Sequence, residues 1–297
     1  MGSEMCIRDR YSTAKIAVPE SQADTEENYK GKPMWVKNQR NSWHGVDFPY
    51  HSELDVQEYK RQYHRALSAV DDSLGRINEW LKTNNLDQNT AVILMGDNGF
   101  LFGEHGLIDK RNAYEESMRV PLIASIPGAK KGHVVEEMAA NIDIAPTILD
   151  IAGIKEKPAQ FAGESLLPLA EGKKVANWRD TLLYEYYWEF NFPQTPTTFA
   201  VRSDNYKLIQ YHGIWDTDEL YDLRSDPQET RNLILEPAYQ APVYELREVL
   251  YQRLLQTRGL SIRLGRKRDH GQNMRSPTNS KRATFPPHMI SMPSDDG

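Results

Sequence analysis

Apolar residues recur at three- and four-residue steps through Tyr59, Tyr63, Leu67, Val70, Leu74, Ile77 and Leu81, which predicts an amphipathic helix over residues 55–84. Asp55 followed by Glu58 fits an N-terminal capping pair, and Asn84 and Asn85 can end the helix. The period then changes. Residues 91–95 (Ala-Val-Ile-Leu-Met) form a continuous apolar run too short for a helix, and residues 120–126 form a second. Both fit strands buried on two faces. A loop-rich stretch, 96–113, lies between them. Residues 141–153 read as a capped helix, with Asp143 as N-cap, Pro146 in the first turn and Gly153 as the stop. Helix, strand, long loop, strand, helix predicts an α/β domain with helices on the faces of a sheet.

Beyond about residue 165 the pattern shortens. Residues 182–186, 198–202, 206–211 and 219–223 are successive strand candidates, which predicts a small antiparallel sheet followed by a helix over 239–258. Residues 11–54 are polar and irregular and read as a long loop region. The first ten residues have neither an apolar core nor a period and read as a non-native leader. The tail from 261 is basic, rich in Ser and Pro, and reads as flexible. The expected organisation is therefore 1–10 leader, 11–165 α/β domain, 166–260 antiparallel subdomain with helix, and 261–297 tail.

Composition narrows the function classes. Of 297 residues, 39% are hydrophobic and 26% charged, values of a folded globular chain. The net charge of −6 argues against a nucleic-acid binder. No stretch approaches the roughly 18 apolar residues that span a membrane. Cys6 is the single cysteine, so there is no disulfide framework.

The chemistry concentrates where the first apolar run ends. Asp97 and Asn98 offer a carboxylate and an amide oxygen, hard donors that suit Ca²⁺ or Mg²⁺ and not zinc. Asp-Asn-Gly by itself equally makes a tight turn. The following residues do not read as a partner strand; they form a glycine-spaced loop carrying His105 and Lys110. Lys110 is a mobile point charge for an anionic oxygen. His105, between Gly103 and Gly106, reads either as a hydrogen-bond donor to an anion or leaving group or as a structural loop histidine. Arg119 reads as a support for the loop through a buried charge pair.

These motifs in order, Asp97-Asn98-Gly99, Gly103-Glu104-His105-Gly106-Leu107, Lys110, Tyr114-Glu115-Glu116-Ser117 and Arg119-Val120-Pro121-Leu122-Ile123, resemble the type I sulfatases of the alkaline phosphatase superfamily. Residues 69–77 (Ala-Val-Asp-Asp-Ser-Leu-Gly-Arg-Ile) and 219–233, which open on Glu-Leu-Tyr-Asp-Leu, are similar to that family's helix before the metal strand and its C-terminal signature. The resemblance spans about residues 28–260. It implies part of an alkaline-phosphatase-like sandwich, a mostly parallel sheet flanked by helices. It also implies a Ca²⁺ site to which Asp97 and Asn98 contribute two ligands, and contact between Lys110 and the sulfate.

The family's nucleophile is a formylglycine made in a Cys/Ser-x-Pro-Ser-Arg motif, and its other two metal ligands are an Asp-Asp pair. Neither is found in this sequence. Asp71-Asp72 sits inside the amphipathic helix and cannot serve as that pair. The sequence therefore reads as the C-terminal portion of a sulfuric ester hydrolase, with the nucleophile and any signal peptide expected upstream and the portion inactive alone. The full protein would be periplasmic or secreted.

Residues 28–37, 40–47 and 187–196 are similar to bacterial N-acetylglucosamine-6-sulfatases and mucin-desulfating sulfatases, which implies a sulfated carbohydrate partner. Trp43, Trp188 and Trp215 could give flat faces for sugar rings and His44 hydrogen bonds, or these aromatics could simply pack the small sheet. Arg263, Arg266, Lys267, Arg268 and Arg275 read as a solvated basic run. Two alternatives stay open: a phosphodiester or phosphonate monoester hydrolase of the same superfamily, and a non-catalytic binder of sulfated glycans.

Overall fold

The computed structural model describes residues 10–42, 44–47, 56–189, 192–213 and 215–262. The elements in chain order are α1 (Glu26–Tyr29), α2 (Met34–Gln39), α3 (Val56–Thr83), β1 (Val92–Met95), α4 (Glu115–Met118), β2 (Leu122–Ser125) and α5 (Ile144–Ile151). There follow α6 (Leu167–Ala170), β3 (Thr181–Tyr186), β4 (Thr197–Ser203), β5 (Tyr206–His212), β6 (Glu219–Asp222) and α7 (Gln240–Thr257). Single 3-10 turns separate several of them. Residues 1–9 of the leader, Trp43, Asp55 and the basic run from Arg263 lie outside the described residues.

Strands β3, β4, β5 and β6 pair in that order, each antiparallel to the next. Alternation along the strands gives the sheet two buried faces. Phe199, Val201, Leu208 and Leu220 point toward α7, whose Val243, Leu246, Leu250 and Leu254 recur at helical spacing. Ala200, Ile209 and Tyr221 point the other way, onto Tyr29, Trp35, Val36, Leu101, Leu107 and Tyr114. Each such side chain contributes about 1.5–3 kcal/mol of apolar burial. One core thus joins residues from both sides of position 165.

The second cluster corrects the reading of residues 11–54 as loop. They form α1, α2 and a 3-10 turn, and Tyr29, Trp35 and Val36 are buried. Their apolar residues are too few and too close together to show a period, yet Tyr29, Trp35 and Val36 fill the far face of the small sheet.

The other sheet is a two-stranded antiparallel pair, β1 with β2, in the register Val92↔Ser125 to Met95↔Leu122. No parallel partner occurs among the described residues, and the strands are not buried on both faces. β1 is half-buried and β2 exposed throughout. The chain leaves β1 through the 96–121 segment and returns alongside it, which fixes the antiparallel sense.

Helix α3 follows its predicted span. Tyr59 and Tyr63 pack on Phe102, and Lys60 donates to the Ala17 carbonyl. Of its later apolar positions Leu67, Val70, Ile77 and Trp80 are exposed, whereas Leu81 is buried. Asp143 does not cap α5 as predicted. It is fully buried, its Oδ2 accepts from the Ala140 N–H at 2.8 Å and its Oδ1 from the Glu164 N–H at 2.9 Å, and Arg179 pairs with both oxygens.

Candidate functional site

The loop after β1 is pinned like a narrow hairpin. Leu101 N–H donates to the Asp109 carbonyl at 2.8 Å and Gly103 N–H to the Leu107 carbonyl at 2.9 Å. The His44 carbonyl accepts from Ile108 N–H at 2.7 Å, tying residues 44–46 to the same loop. This pairing folds residue 110 back toward residue 98. Lys110 Nζ then donates to Asn98 Oδ1 at 3.4 Å, while Asp97 Oδ1 accepts from the Asn98 N–H at 2.9 Å. Asp97, Asn98 and Lys110 are all exposed at the end of β1. Asn141 donates from Nδ2 to the Asp97 carbonyl at 2.5 Å.

Two glycines permit this geometry. A Cβ on Gly99 would collide with the Glu116 carbonyl oxygen, so α4 lies directly against the Asp97–Gly99 turn. Gly106 has φ +76° and would meet the Tyr29 hydroxyl and the Arg40 guanidinium. His105, between positive-φ glycines, itself adopts φ 56°, ψ 17°, the left-handed region that costs a non-glycine residue.

His105 lies in the core, 1% exposed, stacked on Tyr114 at 4.0 Å between ring centroids. Both of its ring nitrogens lack a hydrogen-bond partner. Burial, with Lys32 and Lys207 nearby, holds the imidazole well below its ordinary pKa, so it is neutral. Glu116 Oε2 sits 3.9 Å from His105 Nε2. Burial, with Glu229 and Glu104 adding repulsion, raises the Glu116 carboxyl to about 7.

His44 is buried and donates from Nδ1 to Asp109 Oδ1 at 2.9 Å; its Nε2 has no partner. Phe192 meets the His44 ring edge-on, and the Arg111 guanidinium lies 3.5 Å over the Phe192 ring. Arg111 also donates to Asp109 Oδ1 at 3.1 Å. Burial alone would raise the Asp109 carboxyl, but the hydrogen bond from His44 and the charge of Arg111 outweigh it and leave the group below its usual range. Trp188 is 47% exposed, its indole N–H donating to the Pro193 carbonyl at 3.3 Å. Trp215 is fully exposed and packs nothing. Arg119 is exposed, not part of a buried pair. Lys207 takes that place, fully buried between Glu115 at 2.7 Å and Glu229 at 2.8 Å.

The family description Sulfatase matches residues 11–154, and that of N-sulphoglucosamine sulphohydrolase, C-terminal, matches residues 103–257. The chain belongs to the sulfatase family. It is 38% identical over 198 residues to an N-acetylglucosamine-6-O-sulfatase of Bacteroides thetaiotaomicron, covering 65% of this chain and 35% of that protein. It is also 38% identical over 138 residues to the human N-acetylglucosamine-6-sulfatase, covering 46% and 25%. A solved structure in complex with its substrate D-glucosamine-2-N,6-O-disulfate superposes with a TM-score of 0.65 at 36% identity, over 70% of this chain and 42% of that one. A phosphonate monoester hydrolase from Silicibacter pomeroyi shares the fold, with a TM-score of 0.73 at 23% identity over 84% and 52%. The fold is that of the alkaline-phosphatase-like sulfatases. The chain spans about a quarter to a third of the length of these two curated sulfatases.

Sulfatases imply a metal ion, and the donors here fit Ca²⁺ in kind: one carboxylate and one amide oxygen, adjacent and exposed. They do not fit in number. Among the described residues no group of three or more His, Cys, Asp or Glu could hold a metal. Asp109, Arg111, Asn141 and Glu116 were not singled out from sequence. Asp109 and Arg111 flank Lys110 with opposite charges, the one local signal; Asn141 and Glu116 reach the site only through the fold.

Proposed function

We propose that this chain is part of a sulfuric ester hydrolase that removes sulfate from a sulfated sugar, N-acetylglucosamine-6-sulfate in glycans or glycosaminoglycans. The observation that carries the reading is the contact between Lys110 Nζ and Asn98 Oδ1, at 3.4 Å and open to solvent. It joins a divalent-cation donor pair to an ammonium group, the combination that a sulfate oxyanion needs.

Asp97 and Asn98 would hold Ca²⁺, which when bound supplies positive charge against the sulfate oxygens. Lys110 orients the same anion through charge-assisted hydrogen bonds. Asp109, buried and ionised, accepts from the Arg111 N–H just after Lys110 and locks His44. Trp188, with an exposed indole face, is the residue we assign to the sugar; His44, buried and bonded to Asp109, supports the loop that carries Lys110. His105 acts from beneath, as a neutral stacked wedge that holds the loop turn; its burial keeps it from direct contact with a leaving group. The formylglycine would come from outside these residues, so the chain alone does not turn over. A glycan substrate outside the cytoplasm supports a periplasmic or secreted location.

The test is titration of the purified chain with N-acetylglucosamine-6-sulfate in Ca²⁺, followed by NMR, beside the matching phosphate ester and a sulfate-release assay. The reading expects weak sulfate-sugar binding that Lys110→Ala weakens by roughly ten- to a hundredfold, and no release. Release by the chain alone, or a clear preference for the phosphate ester, contradicts it.

A further inference from the structure

Two loops leave one end of the small sheet, and each carries an exposed indole. Tyr186, Thr198 and Tyr211 stand in one line across β3, β4 and β5. Strands β3 and β5 are each antiparallel to β4, so they run the same way and leave the sheet at the same end. Neighbouring strands lie about 4.8 Å apart, which sets the two exits about 10 Å apart. Trp188 follows β3 by two residues and is half-exposed; Trp215 follows β5 by three and is fully exposed. Helix α2 ties both loops. Its Gln39 donates to the Gln194 carbonyl and to Thr195 Oγ1, each at 3.0 Å, and its Trp35 N–H donates to Asp216 Oδ2 at 3.2 Å. Asp216 Oδ1 accepts from the Thr217 N–H at 2.8 Å, so the backbone beside Trp215 is held although its indole packs nothing. Met34, the first residue of α2, is 69% exposed.

One exposed large apolar side chain is ordinary, but three on segments tied to a single six-residue helix form a patch that calls for a partner. The patch is continuous with the candidate anion site. The Arg111 guanidinium, next to Lys110, lies 3.5 Å over the ring of Phe192, in the loop that follows Trp188. Just past α2, the Val46 N–H donates to the Gly106 carbonyl at 3.0 Å. An indole offers a rigid, flat apolar face at little cost in conformational entropy, with one N–H donor at its rim. That face matches the C–H face of a sugar ring. Charge sets the direction: the cations Lys110 and Arg111 stand at one end, while the carboxylates near Trp215, Asp216 and Asp218, are already taken up by Trp35, Thr217, Gln210 and Arg247. We propose that Trp188 and Trp215 are two stations of a platform for a glycan chain, with the sulfated unit at Lys110 and uncharged units over the indoles, so that the site recognises an oligosaccharide in preference to the free sulfated sugar. The proposal rests on the sulfatase reading of the Lys110 site and adds Trp215 as the residue that sets chain-length preference.

The test titrates the full chain in Ca²⁺ with three probes: N-acetylglucosamine-6-sulfate, a tetrasaccharide carrying that unit at its non-reducing end, and the same tetrasaccharide without sulfate. Calorimetry and amide NMR follow binding. The proposal expects the sulfated tetrasaccharide to bind roughly tenfold or more tightly than the monosaccharide and to shift the amides of residues 215–218, which the monosaccharide leaves in place. Trp215→Ala, at a fully exposed position, should remove that gain with the circular dichroism unchanged, and Trp215→Phe should keep part of it. Absence of tetrasaccharide binding, equal affinities for the two sulfated probes, or a gain that Trp215→Ala leaves intact overturns the proposal. The unsulfated probe separates the two readings. If it still shifts residues 215–218 while binding of the sulfated form ignores Lys110→Ala, the sulfatase reading of the site fails and the platform stands. If binding depends on Lys110 and not on Trp215, the platform fails and the sulfatase reading stands.

Discussion

In the proposed function Lys110 is the side chain that meets the sulfate. A charge-assisted hydrogen bond contributes about 1.5–3 kcal/mol, so Lys110→Ala should weaken sulfate binding by roughly ten- to a hundredfold, with Lys110→Arg retaining part of it; calorimetric or NMR titration with sulfate checks both. The sequence singled out Asp97, Asn98 and Lys110 because each is a chemically suited group next to a clear strand end or inside a glycine-spaced loop, and the fold brings Lys110 Nζ to 3.4 Å from Asn98 Oδ1. The place of His105 was not legible: nothing local tells a donor from a buried wedge, and its burial depends on Tyr114 and on the distant Tyr29 and Ser21 that hold its backbone. Glu116 was equally hidden, since its environment is made by Glu229 and Glu104. Its carboxyl is raised from 4.5 to about 7, so the folded state holds a proton that the unfolded state releases. The stability this confers is full below about pH 4.5 and is lost as pH rises through about 7. His105, held neutral, works in the opposite sense and favours folding above its ordinary pKa. Glu116→Gln should therefore gain stability over the parent progressively between those pH values and hold the gain above them, read from urea midpoints at pH 4.5 and pH 8. A pH-independent difference would contradict the account.

Periodic elements were readable and sparse ones were not. Helices α3 and α7 and strands β3 to β6 fall within a residue or two of the sequence reading because their patterns are long or strictly alternating. Helices α1 and α2 span four and six residues, too short for any period to emerge. Their burial comes from the small sheet 170 residues away in sequence, in round terms. The buried pairs that join elements were invisible for the same reason. Asp143 joins the start of α5 to Glu164 and Arg179. Breaking such a pair costs about 3–5 kcal/mol because a buried charge loses its partner. Asp143→Ala should lower unfolding free energy by about that amount. Lys207→Ala, which strands Glu115 and Glu229, should do the same by loosening α4 from β5. Urea unfolding measures both; a change under about 0.5 kcal/mol, typical of surface substitutions, would show that the pairs are not coupled to the fold.

The whole molecule reads as two kinds of surface. The small sheet is covered on both faces, while β1, β2 and the later half of α3 carry strand and helix patterns whose apolar sides meet little. The expectation that β1 and β2 are buried on two faces rested on the apolar runs alone. In the structure β1 is half-buried and β2 exposed, because apolar composition shows what a strand can bury and not what lies beside it. The account's central claim is that Asp97 and Asn98 would contribute two oxygen ligands to a hard divalent cation, with Lys110 adjacent. Its most direct measurement is amide line broadening in the full chain on titration with Mn²⁺, a paramagnetic ion of the same oxygen preference. The account predicts broadening centred on residues 97–99 and 110, displaced by excess Ca²⁺ and lost in Asp97→Ala. Broadening centred elsewhere, or unchanged by that substitution, would contradict it.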